Sequence, residues 1–145
     1  MEIYTIGFGQ KTAEQFFGII TKVGIRRLMD VRLNNVSQLA GFTKKDDLRF
    51  FLKRLCSADY VHERMLAPTQ DLLDGYKKEG GSWENYETKF LALMSERKIE
   101  DSISRAQFDV PTVMLCSEPT AEHCHRRLVV EYLNSKWGNV KAVHL

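Results

Sequence analysis

The sequence predicts an α/β protein of three layers, in which a mostly parallel sheet of about five strands carries helices on both faces. Two observations support this fold class. Short apolar segments alternate along the chain with longer segments whose apolar residues recur at helical spacing. The first thirty or so residues also contain a strand, a helix and a second strand, a unit that joins parallel strands by a right-handed crossover.

The first strand–helix–strand unit can be followed residue by residue. Residues 3–6 are aromatic and β-branched, as is typical of a strand. Thr12 and Gln15 have the spacing of a capping box, and apolar residues then recur at helical intervals. Gly24 is suited to end this helix, and residues 25–31 form the second predicted strand.

The middle of the chain is predicted to add helices and one short strand. Thr43 is expected to cap a helix whose apolar side begins at Leu48. Residues 60–63 form a short third strand. Three further helices are predicted after it: one beginning near Pro68, one capped by Ser82, and one over residues 99–107.

The last part of the chain combines two strands with a loop rich in reactive groups. Residues 112–115 form the fourth predicted strand, and residues 116–127, a loop and the start of a helix, contain two cysteines, two histidines and two arginines. The final helix is expected to begin near Thr120, with Cys124 in about its first turn. Residues 140–144 supply the closing strand.

Length and composition place limits on the class of protein. The chain has 145 residues, of which 43% are hydrophobic and 28% charged, as in an ordinary globular protein. We therefore expect a single α/β domain over residues 1–145. The formal net charge is only +2, so the chain is not a general polycation suited to wrapping nucleic acid, although local anion sites stay open.

Cysteine count and hydropathy bear on location. Three cysteines, an odd number, and the lack of an apolar leader argue against a secreted disulfide-bonded scaffold. No segment approaches the roughly 18 consecutive apolar residues that a membrane-spanning helix needs. We expect a cytoplasmic protein with reduced thiols and no membrane partner.

Ligands of open α/β sheets bind beyond the carboxyl ends of the parallel strands. Four strand ends carry groups that we expect to meet at one edge: residues 7–9, Asp30 with Arg32, His62 with Glu63, and the loop that begins at Cys116. This convergence of groups from distant parts of the sequence is the main argument for a functional site.

The candidate residues for binding an anion are Gly7, Gly9, Asp30, Arg32 and Arg126. The glycines would let backbone N–H groups approach a phosphate, or they form only a tight turn. Their spacing matches neither the dinucleotide fingerprint nor a Walker A loop. Arg32 can direct two donors at a phosphate or carboxylate, or it can form a salt bridge with Asp30 or Glu118 that orders the loop.

The candidate catalytic residues are Cys116, Glu118, Cys124 and His125. A helix N-terminus and nearby arginines lower a thiol pKa, which favours Cys124 as a nucleophilic thiolate. His125 suits general acid–base catalysis, and Glu118 can orient it, take a proton or cap the helix. A buried and inert role stays open for both cysteines, and a core role for His125.

The spacing of these residues excludes three common patterns. Glu122, not arginine, lies six positions after Cys116, so this is not a phosphatase C-x5-R loop. The two cysteines are too far apart for a C-x-x-C redox pair. Structural zinc needs two close pairs of ligands, and the adjacent Cys124 and His125 would point about 100° apart on a helix. We predict no metal and no other cofactor.

Several short motifs together resemble a known family. They are Thr5-Ile6-Gly7, Asp30-Val31-Arg32, Ser37, Phe42 with Lys44, Tyr60 with His62, Cys116 with Glu118, Cys124-His125-Arg126 and Val143-His144. With these motifs the chain resembles the family called domain of unknown function 488. The resemblance implies a compact cytoplasmic α/β domain, mainly from prokaryotes, with no established reaction.

The sequence departs from that family pattern at two loops. Family members commonly carry proline where this chain has residues 33–37, and glycine where it has residues 63–67. The loops on the substrate side of the site are therefore expected to differ from those of other members.

Two classes of function stay open at this point. The first is an enzyme that acts on a phosphorylated small molecule or a nucleic-acid end, with the arginines holding the anion and the cysteine and histidine side chains carrying out the chemistry. The second is a module that binds a nucleotide or nucleic acid without chemistry, or a thiol-based sensor that uses Cys116 and Cys124. The sequence alone does not decide whether the protein is an enzyme or what its oligomeric state is.

Overall fold

A computed structural model of the chain describes residues 1–36 and 40–145. Ser37, one of the residues in the family resemblance, lies outside this part of the chain. Within it, five strands form one sheet in the order β3-β2-β4-β1-β5, and every neighbouring pair is parallel. The strands are β1 (Glu2–Gly7), β2 (Arg27–Asp30), β3 (Asp59–His62), β4 (Thr112–Cys116) and β5 (Lys141–His144). The predicted α/β fold class is confirmed, and the sheet is entirely parallel.

Six α-helices accompany the sheet in the described residues. They are α1 (Ala13–Val23), α2 (Lys45–Phe51), α3 (Gln70–Lys77), α4 (Trp83–Arg97), α5 (Ile99–Ser102) and α6 (His125–Trp137). Short 3₁₀ turns cover Gly41–Thr43, Arg64–Leu66 and Arg105–Phe108, and α2 continues as a π-helical segment over Leu52–Cys56.

The ends of α1 form as their sequence predicts. The Thr12 hydroxyl accepts a hydrogen bond from the Gln15 N–H at 3.1 Å, and the Gln15 side chain accepts one from the Thr12 N–H at 2.9 Å. Gly24 ends the helix with a φ of 81°, a left-handed conformation that glycine adopts without the steric cost of a side chain. The predicted N-cap Ser82 of α4 is confirmed in the same way, and Thr69 caps α3, which was expected to begin near Pro68.

Two helix predictions in the middle of the chain are wrong. Thr43 does not cap α2, because its hydroxyl donates to the Ala40 carbonyl at 2.8 Å inside a 3₁₀ turn, and the helix begins two residues later. The single helix expected over residues 99–107 is divided in two. Ser104 is extended there, and its hydroxyl accepts from the Ala106 N–H at 3.2 Å, which starts a new 3₁₀ turn.

Helices cover both faces of the sheet. On one face α1 and α2 pack, through residues such as Phe16 and Leu48, against Leu115 of β4. On the other face α4 and α6 pack, through residues such as Phe90, against Met114. Since side chains alternate along a strand, Cys116 points to the same face as Met114. The end of β4 therefore presents its cysteine to the layer formed by α4 and α6.

The carboxyl ends of the three central strands are aligned by the register of the sheet. Gly7 pairs with Cys116, and Asp30 pairs with Leu115. The convergence expected from the sequence is thus produced by the register of β2, β4 and β1. Of the helices in the described residues, none is long and apolar enough to cross a membrane.

Candidate active site at the carboxyl edge of the sheet

The loop after β4 lies directly against the end of β1. The Gly9 N–H donates to the Ser117 carbonyl at 2.9 Å. A Cβ atom on Gly7 would lie 1.6 Å from the Glu118 carbonyl oxygen, and one on Gly9 would lie 2.7 Å from that of Ser117. The two glycines therefore allow close backbone contact, and the N–H group of Gly9 that we expected to approach an anion is occupied by a carbonyl.

Cys116 and His125 form the centre of the site. The Cys116 Sγ lies 3.6 Å from Nδ1 of His125, and both residues are buried. On the far side of the ring, Nε2 lies 2.8 Å from the Val31 carbonyl oxygen. A carbonyl can only accept a hydrogen bond, so Nε2 carries a proton and Nδ1 is directed at the sulfur.

Cys124 also lies beside the Cys116 sulfur. Its backbone is not helical, although the sequence predicted it to be. The loop from Ser117 to His123 is irregular, and α6 begins at His125, so the helix start expected near Thr120 is wrong. Cys124 is the extended N-cap residue, with φ −137° and ψ 138°. Its sulfur and the reactive atoms of Cys116 and His125 all lie within 4.8 Å of one another.

The two thiols are not equivalent. The thiol proton of Cys124 and the positive charges of His125 and Arg126 lower the pKa of Cys116 well below its ordinary value, against the effect of burial. Burial and the neighbouring Cys116 raise the pKa of Cys124 well above its ordinary value. The sequence favoured Cys124 as the thiolate, and the environment instead favours Cys116.

The pKa of His125 is shifted upwards, in the opposite direction to that of Cys116. Burial lowers the pKa of His125, but the charge of Cys116 and the hydrogen bonds to Cys116 and to Val31 together raise it above its ordinary value. The arrangement therefore favours a thiolate and an imidazolium ion side by side. A pair of this kind is an activated nucleophile with its acid–base partner.

Arg126 is completely buried beneath the cluster. Its guanidinium donates to the Glu118 carbonyl at 2.8 Å, to the Cys124 sulfur at 3.4 Å and to the Thr5 hydroxyl at 3.3 Å. Because it has no exposed surface, it acts on the thiols and the loop. The sequence placed Arg126 among the anion-binding residues, and its position does not favour that role.

Asp30 and Arg32 are bound to each other. The Arg32 Nε and one terminal nitrogen donate to the two oxygens of the Asp30 carboxylate at 2.9 and 2.8 Å, and the same terminal nitrogen donates to the Thr43 carbonyl at 2.6 Å. Tyr60 donates to Asp30 as well, at 2.6 Å. His62 binds the Arg32 carbonyl at 2.8 Å. This network orders the loop after β2. A salt bridge that orders the loop was the alternative role that the sequence left open for Arg32, beside anion binding.

Glu118 does not contact His125. Its carboxylate pairs with Lys77 of α3, at the margin of the site, and its carbonyl accepts from Arg126 as described above. Orienting the histidine was one of three roles left open for Glu118, and the Val31 carbonyl fills that role instead. The spacing of the sequence gave no indication of this bond, because Val31 and His125 are 94 positions apart.

A cavity of about 230 Å³ opens onto the cluster. Its lining includes Cys116, Cys124 and His125, all proposed from the sequence, together with Arg32 and Glu118. Five further lining residues carry rings: Phe8, Tyr76, Trp83, Tyr86 and His123. Of these, Tyr76, Trp83 and Tyr86 were not expected at the site from the sequence. The available signal was that the segment after β3 begins at the carboxyl edge of the sheet, so its first helices can cover the strand ends.

The cluster also has the composition of a metal site. Two thiols and an imidazole within 4.8 Å of one another, with the cavity on the open side, are a donor set that can hold Zn²⁺. Cys124 is extended and not helical, so the angle of about 100° between adjacent helical side chains does not separate Cys124 from His125 as ligands.

Comparison with protein-family models matches residues 12–133 to the family described as Domain of unknown function DUF488. The chain belongs to this family. The resemblance recognised in the sequence is thereby confirmed, although its first and last motifs, Thr5-Ile6-Gly7 and Val143-His144, lie outside the matched DUF488 range. No curated protein and no solved structure matches the chain. The description of the DUF488 family names no reaction, so the chemistry has to be argued from the site.

Proposed function

We propose that this DUF488 protein is an enzyme in which Cys116 is the nucleophile and His125 the general acid and base, acting on a small molecule bound in the aromatic cavity. Two contacts of the His125 ring carry the proposal. Its Nδ1 lies 3.6 Å from the Cys116 Sγ, and its Nε2 lies 2.8 Å from the Val31 carbonyl oxygen. A nucleophile, a base and a third group that orients the base are the components of cysteine-based nucleophilic catalysis.

The surroundings support a reactive role over an inert one. An inert buried cysteine lies among apolar side chains and keeps its proton. Here the Cys116 sulfur borders a cavity, and the positive charges of His125 and Arg126 stabilise its thiolate form. The N-terminus of α6 lies at the same point and adds its partial positive charge.

The proposed reaction has two steps. In the first, the Cys116 thiolate forms a bond to an electrophilic carbon of the substrate. The leaving group departs with the electron pair of the broken bond and takes the Nδ1 proton of His125. In the second, water attacks the same carbon and gives a proton to Nδ1, while the carbon–sulfur bond breaks. The thiolate and the imidazolium ion are thereby restored.

The experiment uses 4-nitrophenyl acetate as a generic acyl donor. We expect nitrophenolate release together with an acetyl group on Cys116, located by peptide mass mapping. Cys116→Ala should abolish this acetylation, whereas Cys56→Ala removes a thiol outside the site and should leave it intact. Acetylation of Cys56 alone, with Cys116 untouched in the folded protein, would show that Cys116 is not a nucleophile.

Metal analysis of the same protein separates two uses of the cluster. The proposal expects the purified chain to react with the acyl donor without bound zinc. One zinc ion per chain, whose removal by a chelator exposes Cys116 and Cys124 to alkylation, would instead assign the thiols to a metal.

A thiol sensor is the second candidate, because the sulfur atoms of Cys116 and Cys124 lie within 4.8 Å of each other. Hydrogen peroxide would oxidise the two thiols to a disulfide and be reduced to two molecules of water. Mass mapping after a brief peroxide treatment should then show Cys116 linked to Cys124, and loss of this peptide in Cys124→Ser would verify the pairing. Recovery of both thiols after treatment would remove this candidate.

A further inference from the structure

Three rings of the cavity wall, those of His123, Trp83 and Tyr86, are stacked. The indole of Trp83 lies 5.0 Å from the His123 ring at an interplanar angle of 18°, and 5.3 Å from the Tyr86 ring at 24°. The ring centroids of Tyr76 and Trp83 are 5.6 Å apart in an edge-to-face arrangement. A wall of this kind offers a flat ligand large contact areas and favourable ring–ring geometry.

The size of the cavity limits its occupant. A volume of about 230 Å³ exceeds the roughly 150 Å³ that suffices for benzene in an apolar cavity. The space therefore accommodates one substituted ring or two fused rings. A polymer or a large nucleotide does not fit inside it.

The charged side chains around the cavity are already paired. Arg32 is held by the Asp30 carboxylate, and Lys77 is held by Glu118. Arg126 lies beneath the surface and donates to a sulfur atom and to oxygen atoms of the protein. In the described residues, the lysine and the arginine that line the cavity each have a carboxylate partner, so an anionic ligand would have to displace one of these pairs.

Tyr86 supplies a polar group that a neutral ligand can use. Within the described part of the chain its hydroxyl makes no hydrogen bond to another residue, and it is not among the buried polar atoms without a partner, so it keeps accessible surface. Tyr86 lines the cavity, and the charge of Cys116 acts on its hydroxyl, which favours a position on the cavity side. Burial and the nearby Cys116 raise the pKa of Tyr86. The group therefore stays protonated and is a hydrogen-bond donor beside the nucleophile.

We infer that the cavity binds a neutral, flat ring compound that carries a hydrogen-bond acceptor, placed against the Trp83 wall with its acceptor at the Tyr86 hydroxyl. This deepens the proposed function, because it names the class of substrate presented to Cys116, but the binding itself does not depend on the reaction. It differs from the phosphorylated small molecule that the sequence left open as a substrate, because Arg32 is paired with Asp30 and Arg126 is buried.

Three small probes of similar size test two parts of the inference, the neutral charge and the flat shape of the ligand. Benzamide is flat and neutral and has a carbonyl acceptor, benzoate is its anionic counterpart, and cyclohexanecarboxamide is neutral but not flat. Binding is measured by ligand-observed NMR and by calorimetric titration on the full chain. We expect benzamide to bind, and benzoate and cyclohexanecarboxamide to bind at least about tenfold more weakly. Benzoate binding equal to or stronger than that of benzamide would overturn the inference.

A matched pair of variants tests the hydrogen bond. Tyr86→Phe removes one hydroxyl and should weaken benzamide binding about fivefold. Tyr4→Phe removes the hydroxyl of a tyrosine on β1 that is bound to Glu2, and should leave binding unchanged. If Tyr86→Phe has no effect, the donor is wrongly assigned.

The outcomes distinguish the inference from the proposed function. Benzamide binding in a protein whose Cys116 is never acetylated would retain the inference and remove the reaction. Acetylation of Cys116 in a protein that shows no preference among the three probes would retain the reaction and remove the inference.

Discussion

The Nε2–H of His125 donates a hydrogen bond to the Val31 carbonyl at 2.8 Å, and this bond connects α6 to the residue that follows β2. Val31 is itself held in place, because its N–H donates to the Leu115 carbonyl of β4 at 3.1 Å. The His125 ring, the acid–base group on the proposed function, is therefore oriented by the sheet, and its second nitrogen is left to face Cys116.

Replacing His125 should slow the reaction of Cys116 with electrophiles. In His125→Gln the side chain cannot carry a positive charge beside the sulfur, so the fraction of Cys116 present as thiolate falls. We expect alkylation of Cys116 by iodoacetamide at neutral pH to slow by about tenfold or more, as measured by mass spectrometry. His144→Gln, at the end of β5 and bound to Thr5, should have little effect. Equal rates in all three proteins would contradict the assignment of His125.

The alkylation rate of Cys116 should depend weakly on pH near neutrality. The pKa of Cys116 is lowered well below its ordinary value by Cys124, His125 and Arg126, so its thiolate persists as the pH falls through about 8.5, where an ordinary cysteine takes up its proton. The rate constant should stay level through that interval and decline only at lower pH, where Cys116 is protonated. Glutathione, measured in parallel, should lose reactivity throughout. A Cys116 profile that follows glutathione would show an ordinary thiol.

Adding a methyl group at Gly7 should destabilise the protein strongly. The new Cβ would meet the Glu118 carbonyl oxygen at 1.6 Å. Gly7 is held by its pairing with Cys116 in the β1–β4 ladder, and the Glu118 carbonyl accepts a hydrogen bond from Arg126, so a shift of either group has a cost. Gly7→Ala is expected to cost about 3 kcal/mol or more of unfolding free energy in urea titrations. Gly18→Ala serves as the control, since a Cβ there meets nothing within 4 Å inside α1, and it should stabilise by roughly 0.5–1 kcal/mol. Similar behaviour of the two variants would refute the close contact.

Removing the Asp30 carboxylate should lower the free energy of unfolding more than removing a surface carboxylate does. Asp30→Ala leaves the buried Arg32 guanidinium without its ion-pair partner, which costs about 3–5 kcal/mol. Asp59→Ala breaks an exposed pair with Lys53 and should change the unfolding free energy by less than about 1 kcal/mol. Chemical denaturation measures both. An Asp30→Ala protein of unchanged stability would mean that the carboxylate has another purpose than holding the loop.

Local signals in the sequence predicted most of the fold. The Thr12–Gln15 capping box and Gly24 define α1 through contacts of a few residues, so spacing alone is enough to recognise them. Thr43 failed as a cap because a competing bond to Ala40 is equally local. Such competition cannot be ranked from the residue types, since serine and threonine hydroxyls satisfy either turn or helix groups.

The site was predictable in position but not in chemistry. Parallel strands place Gly7, Asp30 and Cys116 at one edge wherever the sheet forms, so their convergence follows from topology. Which thiol becomes the thiolate depends instead on distances of a few ångströms to His125 and Arg126, and these are set by packing. The aromatic wall was missed because Trp83 and Tyr86 have the spacing of core residues on α4, and only the tertiary structure shows that they border a cavity.

The burial of Arg126 affects the lifetime of any covalent intermediate. Its guanidinium has no carboxylate neighbour among the described residues and relies on sulfur, hydroxyl and carbonyl partners. When Cys116 is bonded to a substrate, the negative charge that compensates this cation disappears, and a buried positive charge without compensation is costly. On the proposed function, Arg126 therefore raises the free energy of the thioester or thioether relative to the resting thiolate. The same residue that stabilises the nucleophile before reaction would favour its release afterwards, which promotes turnover over permanent modification.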